Sequence, residues 1–291
     1  MSTAIKILQG AFGRVALLCM DKPLVAHAHH HCHLLIKLSG ADTRFIVRER
    51  VQPLTERNAV VVNAWEPHAY AHHDEAGMPS VLLAMYIEPA WLADIQRALA
   101  VSSHPHFFPQ SCVLMSDHAR QLADRLAADM LLPEGIEPQQ LEERLFDLII
   151  AIIDRNSEWR NFGALLRSMP ACSMDARIRR AIAMMRANVG VGQDMDYIAS
   201  ECGLSRAHFF ALFRRCTRLT PAVYANVLRM EAAIHELSGS ASSIADIGYD
   251  VGFSAPGHFT RFFRDQLGIT PSEYRRVVSI VDERAALALA E

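Results

Sequence analysis

Short apolar runs rich in β-branched residues dominate the first ninety positions. Val15–Cys19, Leu34–Leu38, Thr43–Val47, Val60–Asn63 and Val81–Ile87 are punctuated by Gly, Pro, Asn and Asp, the pattern of strands separated by turns. Several such strands at near-regular spacing predict a small sandwich or barrel. The period changes near Pro89. Trp91–Leu99 and Asp117–Leu131 have helical spacing, the second with Leu122, Leu126 and Met130 on one face. Pro133, Gly135 and Pro138 interrupt it, and then Leu141, Leu145, Leu148, Ile149, Ile152 and Ile153 form a broad stripe opposite Glu142, Glu143 and Arg144. Such a stripe must be buried, against its own domain or against a second copy, and a helical hairpin that contributes to a homodimer is the expectation. Asn156–Ser173, with Gly163 and Pro170 and no clear period, predicts a linker. From Asp175 onward the chain is expected to be helical, with no strand.

The helical third contains a repeat. Cys202–Tyr224 reads CGLSRAHFFALFRRCTRLTPAVY and Val251–Tyr274 reads VGFSAPGHFTRFFRDQLGITPSEY. Gly203, Leu204 and Ser205 return as Gly252, Phe253 and Ser254. His208, Phe209, Phe213, Arg214, Thr220, Pro221 and Tyr224 return, one residue later in register, as His258, Phe259, Phe263, Arg264, Thr270, Pro271 and Tyr274. Each unit predicts a short helix (Met195–Cys202, Ile244–Val251) stopped at a glycine that accepts the left-handed turn. An apolar plug follows (Leu204, Phe253), and then a serine, Ser205 or Ser254, that caps the next helix. The second helix buries Phe209, Leu212 and Phe213, or Phe259, Phe262 and Phe263, and leaves its other face free. A helix, a tight turn and a capped helix lay the second helix in the major groove. Arg218 stands where the second unit has Gly268. If a positive φ is needed there, arginine is strained, so the first unit is expected to end its helix differently.

These motifs resemble the AraC/XylS family of transcriptional regulators, over about Asp175–Arg276. The resemblance implies two helix-turn-helix subdomains joined by a long helix, about Ala222–Leu237, with reading helices in successive major grooves of double-stranded DNA. Carried over residue by residue, the first helix offers Arg206, Ala207, Phe210 and Ala211, and the second Pro256, Gly257, His258, Thr260 and Arg261. Arg261 is the best single candidate for a base contact, bidentate to guanine. The apolar Ala207, Phe210 and Ala211 suit thymine methyl groups or a positioning role. Arg214, Arg215, Arg264, Arg275 and Arg276 are placed for phosphates. His208 and His258, matched in both units, fit packing as well as reading.

Histidines cluster in the other half: His27, His29, His30, His31 and His33, then His68, His72 and His73. The spacing of His27, His29, His33 and Gly40 is similar to the first motif of the cupin barrel, with His33 where that motif has glutamate. Glu66-Pro67-His68-Ala69-Tyr70 is similar to the second. The resemblance, over about residues 10–88, implies that His27, His29, His33 and His68 converge inside a barrel. Four imidazoles suit one divalent transition metal such as Zn, Ni, Fe or Cu. Two readings stay open, a metal site and a barrel that has lost its metal and binds an organic effector.

The expected architecture therefore has two domains. A cupin-like β-barrel with an appended helical hairpin, for effector binding and dimerisation, spans 1–156. A linker spans 157–173, an all-α domain with two helix-turn-helix subdomains spans 174–276, and a tail spans 277–291. Charge sharpens this division. Residues 1–173 carry 15 Lys/Arg against 19 Asp/Glu, and residues 174–276 carry 13 Arg against 10 Asp/Glu with no lysine. Arginine suits bidentate contacts to phosphate and guanine. No apolar run reaches the ~20 residues of a membrane span, and the N-terminus lacks a secretory pattern. The six scattered cysteines suit a reducing cytoplasm. The expectation is a cytoplasmic, non-enzymatic, effector-responsive regulator that contacts RNA polymerase. The alternative is a metal-dependent cupin enzyme fused to a DNA-binding domain. The barrel region offers no obvious paired acid and base for that chemistry.

Overall fold

The computed structural model describes residues 2–72, 78–157, 175–190 and 194–281. Eight strands open the chain: β1 (Thr3–Gly10), β2 (Gly13–Met20), β3 (Cys32–Gly40), β4 (Thr43–Val47), β5 (Arg50–Leu54), β6 (Asn58–Val62), β7 (His68–Ala71) and β8 (Ser80–Ile87). Helix α1 (Pro89–Ile95), a 3-10 turn (Arg97–Ser103), β9 (Cys112–Leu114), α2 (Asp117–Met130) and α3 (Pro138–Asn156) complete the first domain. With a last strand from the end of the chain, β10 (Val278–Ile280), a seven-stranded sheet runs β10-β1-β2-β8-β3-β6-β9, and a three-stranded sheet runs β5-β4-β7.

The large sheet is buried on both faces. Along β8, Leu83, Met85 and Ile87 point to one core with Leu34, Ile36, Val15 and Leu17. Leu82, Ala84 and Tyr86 point to another core with Leu35, Ala16 and Phe45, Val47 and Tyr70 of the small sheet. The period of two sorts alternate side chains to opposite sides, so β3 and β8 read as nearly unbroken apolar runs. The first core also holds Leu126 and Met130 of α2 and the whole α3 stripe, Leu141 to Ile153. That stripe is therefore buried within its own domain, the first of the two possibilities its pattern left open. Most of the linker expected at 157–173, and His73, lie outside the described residues.

The second half forms α4 (Ala176–Ala187), α5 (Met195–Glu201), α6 (Arg206–Thr217), α7 (Pro221–Gly239), α8 (Ile244–Asp250), α9 (Pro256–Leu267) and α10 (Pro271–Val277), then β10 (Val278–Ile280). The expectation of no strand after Asp175 fails here. Part of the supposed tail pairs in parallel with β1, Ile7 opposite Val278 and Gln9 opposite Ile280.

The helical half packs on the barrel in two places. Met230, Ile234, Phe259, Phe263 and Tyr274 join the core of β1, β2 and the small sheet. The first unit has a separate core of Ile178, Met185, Phe209, Phe213 and Tyr224, which reaches Ala28. There Trp65 stacks on Tyr224, with centroids 5.1 Å apart and planes 15° apart. Tyr274 donates to Gln9 Oε1 at 3.1 Å and Ser238 to the same oxygen at 2.8 Å.

Candidate functional site

Both repeats build the turn that the sequence implies. Gly203 and Gly252 take φ of 65° and 87°. The next residue folds back in each, Leu204 N–H donating to Ala199 O and Phe253 N–H to Gly248 O, both at 2.9 Å. Ser205 caps α6, accepting from His208 N. Ser254 does not cap α9. The N-cap is Ala255, with no side-chain bond, and Pro256 occupies the first turn. The residue inserted in this unit shifts the helix start by one, and proline presets the helical φ that a serine cap would otherwise help to fix. The helices end alike, against expectation: Arg218 takes φ 66° and Gly268 φ 81°, each N–H returning to the carbonyl four residues back. At Gly268 a Cβ would stand 2.9 Å from Met20 Cε, so close approach to the barrel as well as φ favours glycine. At Arg218 the side chain is exposed and only φ is strained.

Phe209, Leu212 and Phe213 are buried in α6, and Phe259 and Phe263 in α9, with Phe262 half-buried. On the outer faces Arg206, Ala207, Ala211, Arg214 and Arg215 are exposed and Phe210 is half-buried. Gly257, Arg261 and Arg264 are exposed, and Pro256 and Thr260 are half-buried. His208 and His258 are both exposed, which places them on the outer faces and not in the packing. Two arginines differ from expectation. Arg206 donates to Asp196 at 2.7 Å and lies 5.1 Å from the Phe210 ring, so a neighbouring carboxylate competes with DNA for it. Arg275 is half-buried and donates to Ser242 O at 2.7 Å, which ties it to the start of the second unit and not to phosphates.

In the barrel, β7 and the segment before β3 bring His27, His29 and His68 together, with one ring nitrogen from each lying within 4.8 Å of the others. A bridge pairs His27 with His68. Each Nδ1 faces a backbone carbonyl: Val25 O at 2.9 Å for His27, His31 O at 3.2 Å for His29 and Glu66 O at 2.9 Å for His68. A proton on each Nδ1 turns the Nε2 lone pairs of His27 and His68 inward, the arrangement that orients a ligating imidazole, while that of His29 meets His33. Burial holds His27 below the ordinary histidine pKa, and His29, His33 and His68 well below it, with neighbouring imidazoles adding to the effect for the last three. The neutral form is the one that binds a metal. His33 stands apart from the trio. Its Nδ1 is 2.8 Å from His29 Nε2, and its ring packs 4.1 Å from Tyr86. The Nε2 atoms of His33 and His68 are buried without a hydrogen-bond partner, a costly state that a bound ion or donor would relieve. Glu66 is not placed as a ligand, because Asn63 N and Nδ2 and the Arg48 guanidinium engage its carboxylate.

The sequence reading did not single out a second histidine site. His30 and His31, in the loop before β3, face Glu88 on one side and Glu231 of α7 on the other. Burial opposes charge on His30, but its bond to Glu88 and the charges of Glu231 and Glu88 outweigh it and raise its pKa. The adjacent histidines were the available signal, and the acidic partner 200 residues away was not readable.

A buried barrel that gathers imidazoles, joined to two exposed reading helices, defines an effector-binding domain coupled to a DNA-binding domain. Comparison with known proteins agrees. Residues 24–149 match the AraC-like ligand binding domain and residues 198–277 a helix-turn-helix domain, so the chain has the two domains of an AraC-type transcriptional regulator. It is 24% identical over 252 residues to the HTH-type transcriptional activator RhaS of Escherichia fergusonii, covering 85% of this chain and 86% of that one. It is 22% identical over 259 residues to the activator RhaR of Escherichia coli, covering 88% of each. Among solved structures, ToxT of Vibrio cholerae with an unsaturated fatty acid bound superposes with a TM-score of 0.53 at 12% identity, over 96% of this chain and 95% of that one. A ligand-free ToxT variant gives 0.56 at 10% identity, over 96% and 97%. At that identity the likeness is one of fold. Among the described residues no helix is long and apolar enough to cross a membrane.

Proposed function

We propose that this regulator senses a divalent transition ion, Zn, Ni, Fe or Cu, held by His27, His29 and His68, with His33 buttressing His29. Three imidazoles, each braced at Nδ1 by a carbonyl, are the observation that carries this reading. A bound ion would act as a structural pin, drawing together the segment before β3 and the start of β7. His29 O accepts from Trp65 N at 2.7 Å, and Trp65, at φ 63°, is the residue stacked on Tyr224. Movement of the cluster therefore bears directly on the first reading unit. The equilibrium shifts by as much as the ion prefers one arrangement of that contact over the other.

On DNA, Arg261 reads guanine, Thr260, His258, Pro256 and Gly257 lie beside it on α9, and Arg214, Arg215 and Arg264 hold phosphates. Relatives named as activators support engagement of RNA polymerase. The protein works as a cytoplasmic, non-enzymatic homodimer, formed through a surface other than the α3 stripe. Elemental analysis of tag-free protein tests the sensor. The wild type is expected to retain an ion that a His27→Gln/His68→Gln variant lacks, and chelation is expected to change promoter affinity. Equal metal content in the two proteins, with affinity indifferent to chelation, would overturn the metal and leave an organic effector, such as the fatty acid ToxT holds.

A further inference from the structure

We propose that His30, His31 and Glu231 form a second divalent-cation site, distinct from the barrel cluster, that bridges the barrel to the helix joining the two reading units. Their ligand atoms lie within 4.8 Å of one another. Glu231 Oε1 is 3.9 Å from Nδ1 of His30 and 3.9 Å from Nδ1 of His31. That is too long for a hydrogen bond and close to the spacing of donors around one ion with bonds of about 2.0–2.2 Å.

The far edge of the His30 ring sets which of its nitrogens faces Glu231. His30 Nε2 lies 3.0 Å from Glu88 Oε2, so Nε2–H donates to the carboxylate, and once Nδ1 gives up its proton to a cation its lone pair points toward Glu231. The His31 ring lies 3.9 Å from that of His30 and presents the same edges, with Nε2 3.8 Å from the same Glu88 oxygen. Glu88 is thus the outer carboxylate that orients the His30 imidazole. His31 is buried, and its Nδ1 has no hydrogen-bond partner. Two lone pairs facing a carboxylate oxygen are three acceptors around one gap, an arrangement that a cation completes.

The gap opens into a cleft of about 180 Å³ between the domains, which Gln9, Arg14 and Ile234 also line. The His30 and Glu231 side chains are 34% and 28% exposed, so an ion can enter from solvent. Two imidazoles and one carboxylate suit Zn²⁺, with water in the remaining position. Two ligands come from the barrel and one from α7, so binding favours the docked arrangement of the domains.

The test counts ions on the full-length protein by equilibrium dialysis against Zn²⁺, with circular dichroism as a folding control. The His27→Gln/His68→Gln protein is expected to keep one Zn²⁺ per chain. Adding Glu231→Gln or His30→Gln should remove it, and adding Glu88→Gln should weaken it about 10–100-fold. In the protein with an intact barrel, Glu231→Gln alone should lower the total by one, so the result does not depend on the double variant folding. Unchanged binding after both Glu231→Gln and His30→Gln, or no bound ion in the folded barrel variant, overturns the second site. Barrel binding that survives in Glu231→Gln leaves the sensor reading standing.

Discussion

The two helix-turn-helix units share a frame and differ in what they show to DNA and to the barrel. Phe209 and Phe213 in one unit, and Phe259 and Phe263 in the other, are each 0% exposed, and the turns close with the same backbone bonds. On the outer faces the first helix offers alanines, a half-buried phenylalanine and an arginine already paired with Asp196. Both expose a histidine, His208 or His258, and the second adds Arg261. The first touches the barrel through an aromatic stack and Ala28, and the second through a shared core and a strand. Repetition preserves what packs, and divergence falls on what reads and what docks.

The largest effect should come from breaking the shared frame. Phe213→Ala and Phe263→Ala should each cost about 3–5 kcal/mol. Denaturant unfolding should show Phe213→Ala loosening the first unit alone, while Phe263→Ala also perturbs the barrel, whose core it joins. Next comes the reading asymmetry. Arg261→Ala should weaken specific binding by about 1–3 kcal/mol and relax preference at one base pair, whereas Arg206→Ala should change specificity little. Equal losses on specific and random DNA would make Arg261 a phosphate contact. Third are the caps. Ser205→Ala should cost about 1 kcal/mol and Ser254→Ala close to nothing, and equal thermal shifts would contradict the difference in helix starts. The smallest effect concerns the helix ends. Arg218→Gly should stabilise by about 0.5–1 kcal/mol, because relief of the left-handed conformation exceeds glycine's entropy cost. Gly268→Ala should destabilise, having both the unfavourable φ and the contact with Met20.

The duplicated units were legible because their buried positions recur at helical spacing and their turns need glycine. Five strands of the barrel were equally plain. β5 was not, because Pro53 interrupts it, as an edge strand tolerates. β7 was not, because four residues led by a buried histidine carry little apolar period, and neither was β9, because three residues carry none. Of the histidine cluster, spacing supplied His27, His29, His33 and His68. Which ring nitrogens share a point depends on carbonyls and rotamers that spacing does not encode, and it is the structure that groups those of His27, His29 and His68 and sets His33 against His29. The Arg206–Asp196 pair and the approach of Glu231 to His30 are products of chain folding over longer distances.

The strand Val278–Ile280 follows α10 directly and lies on the outer edge of β1. Any excursion of the second reading unit away from the barrel must therefore unzip that ladder and bare a row of unpaired backbone groups. An open regulator of this design carries a sticky margin, so freedom to roam along DNA and resistance to clumping pull against each other in the same three residues.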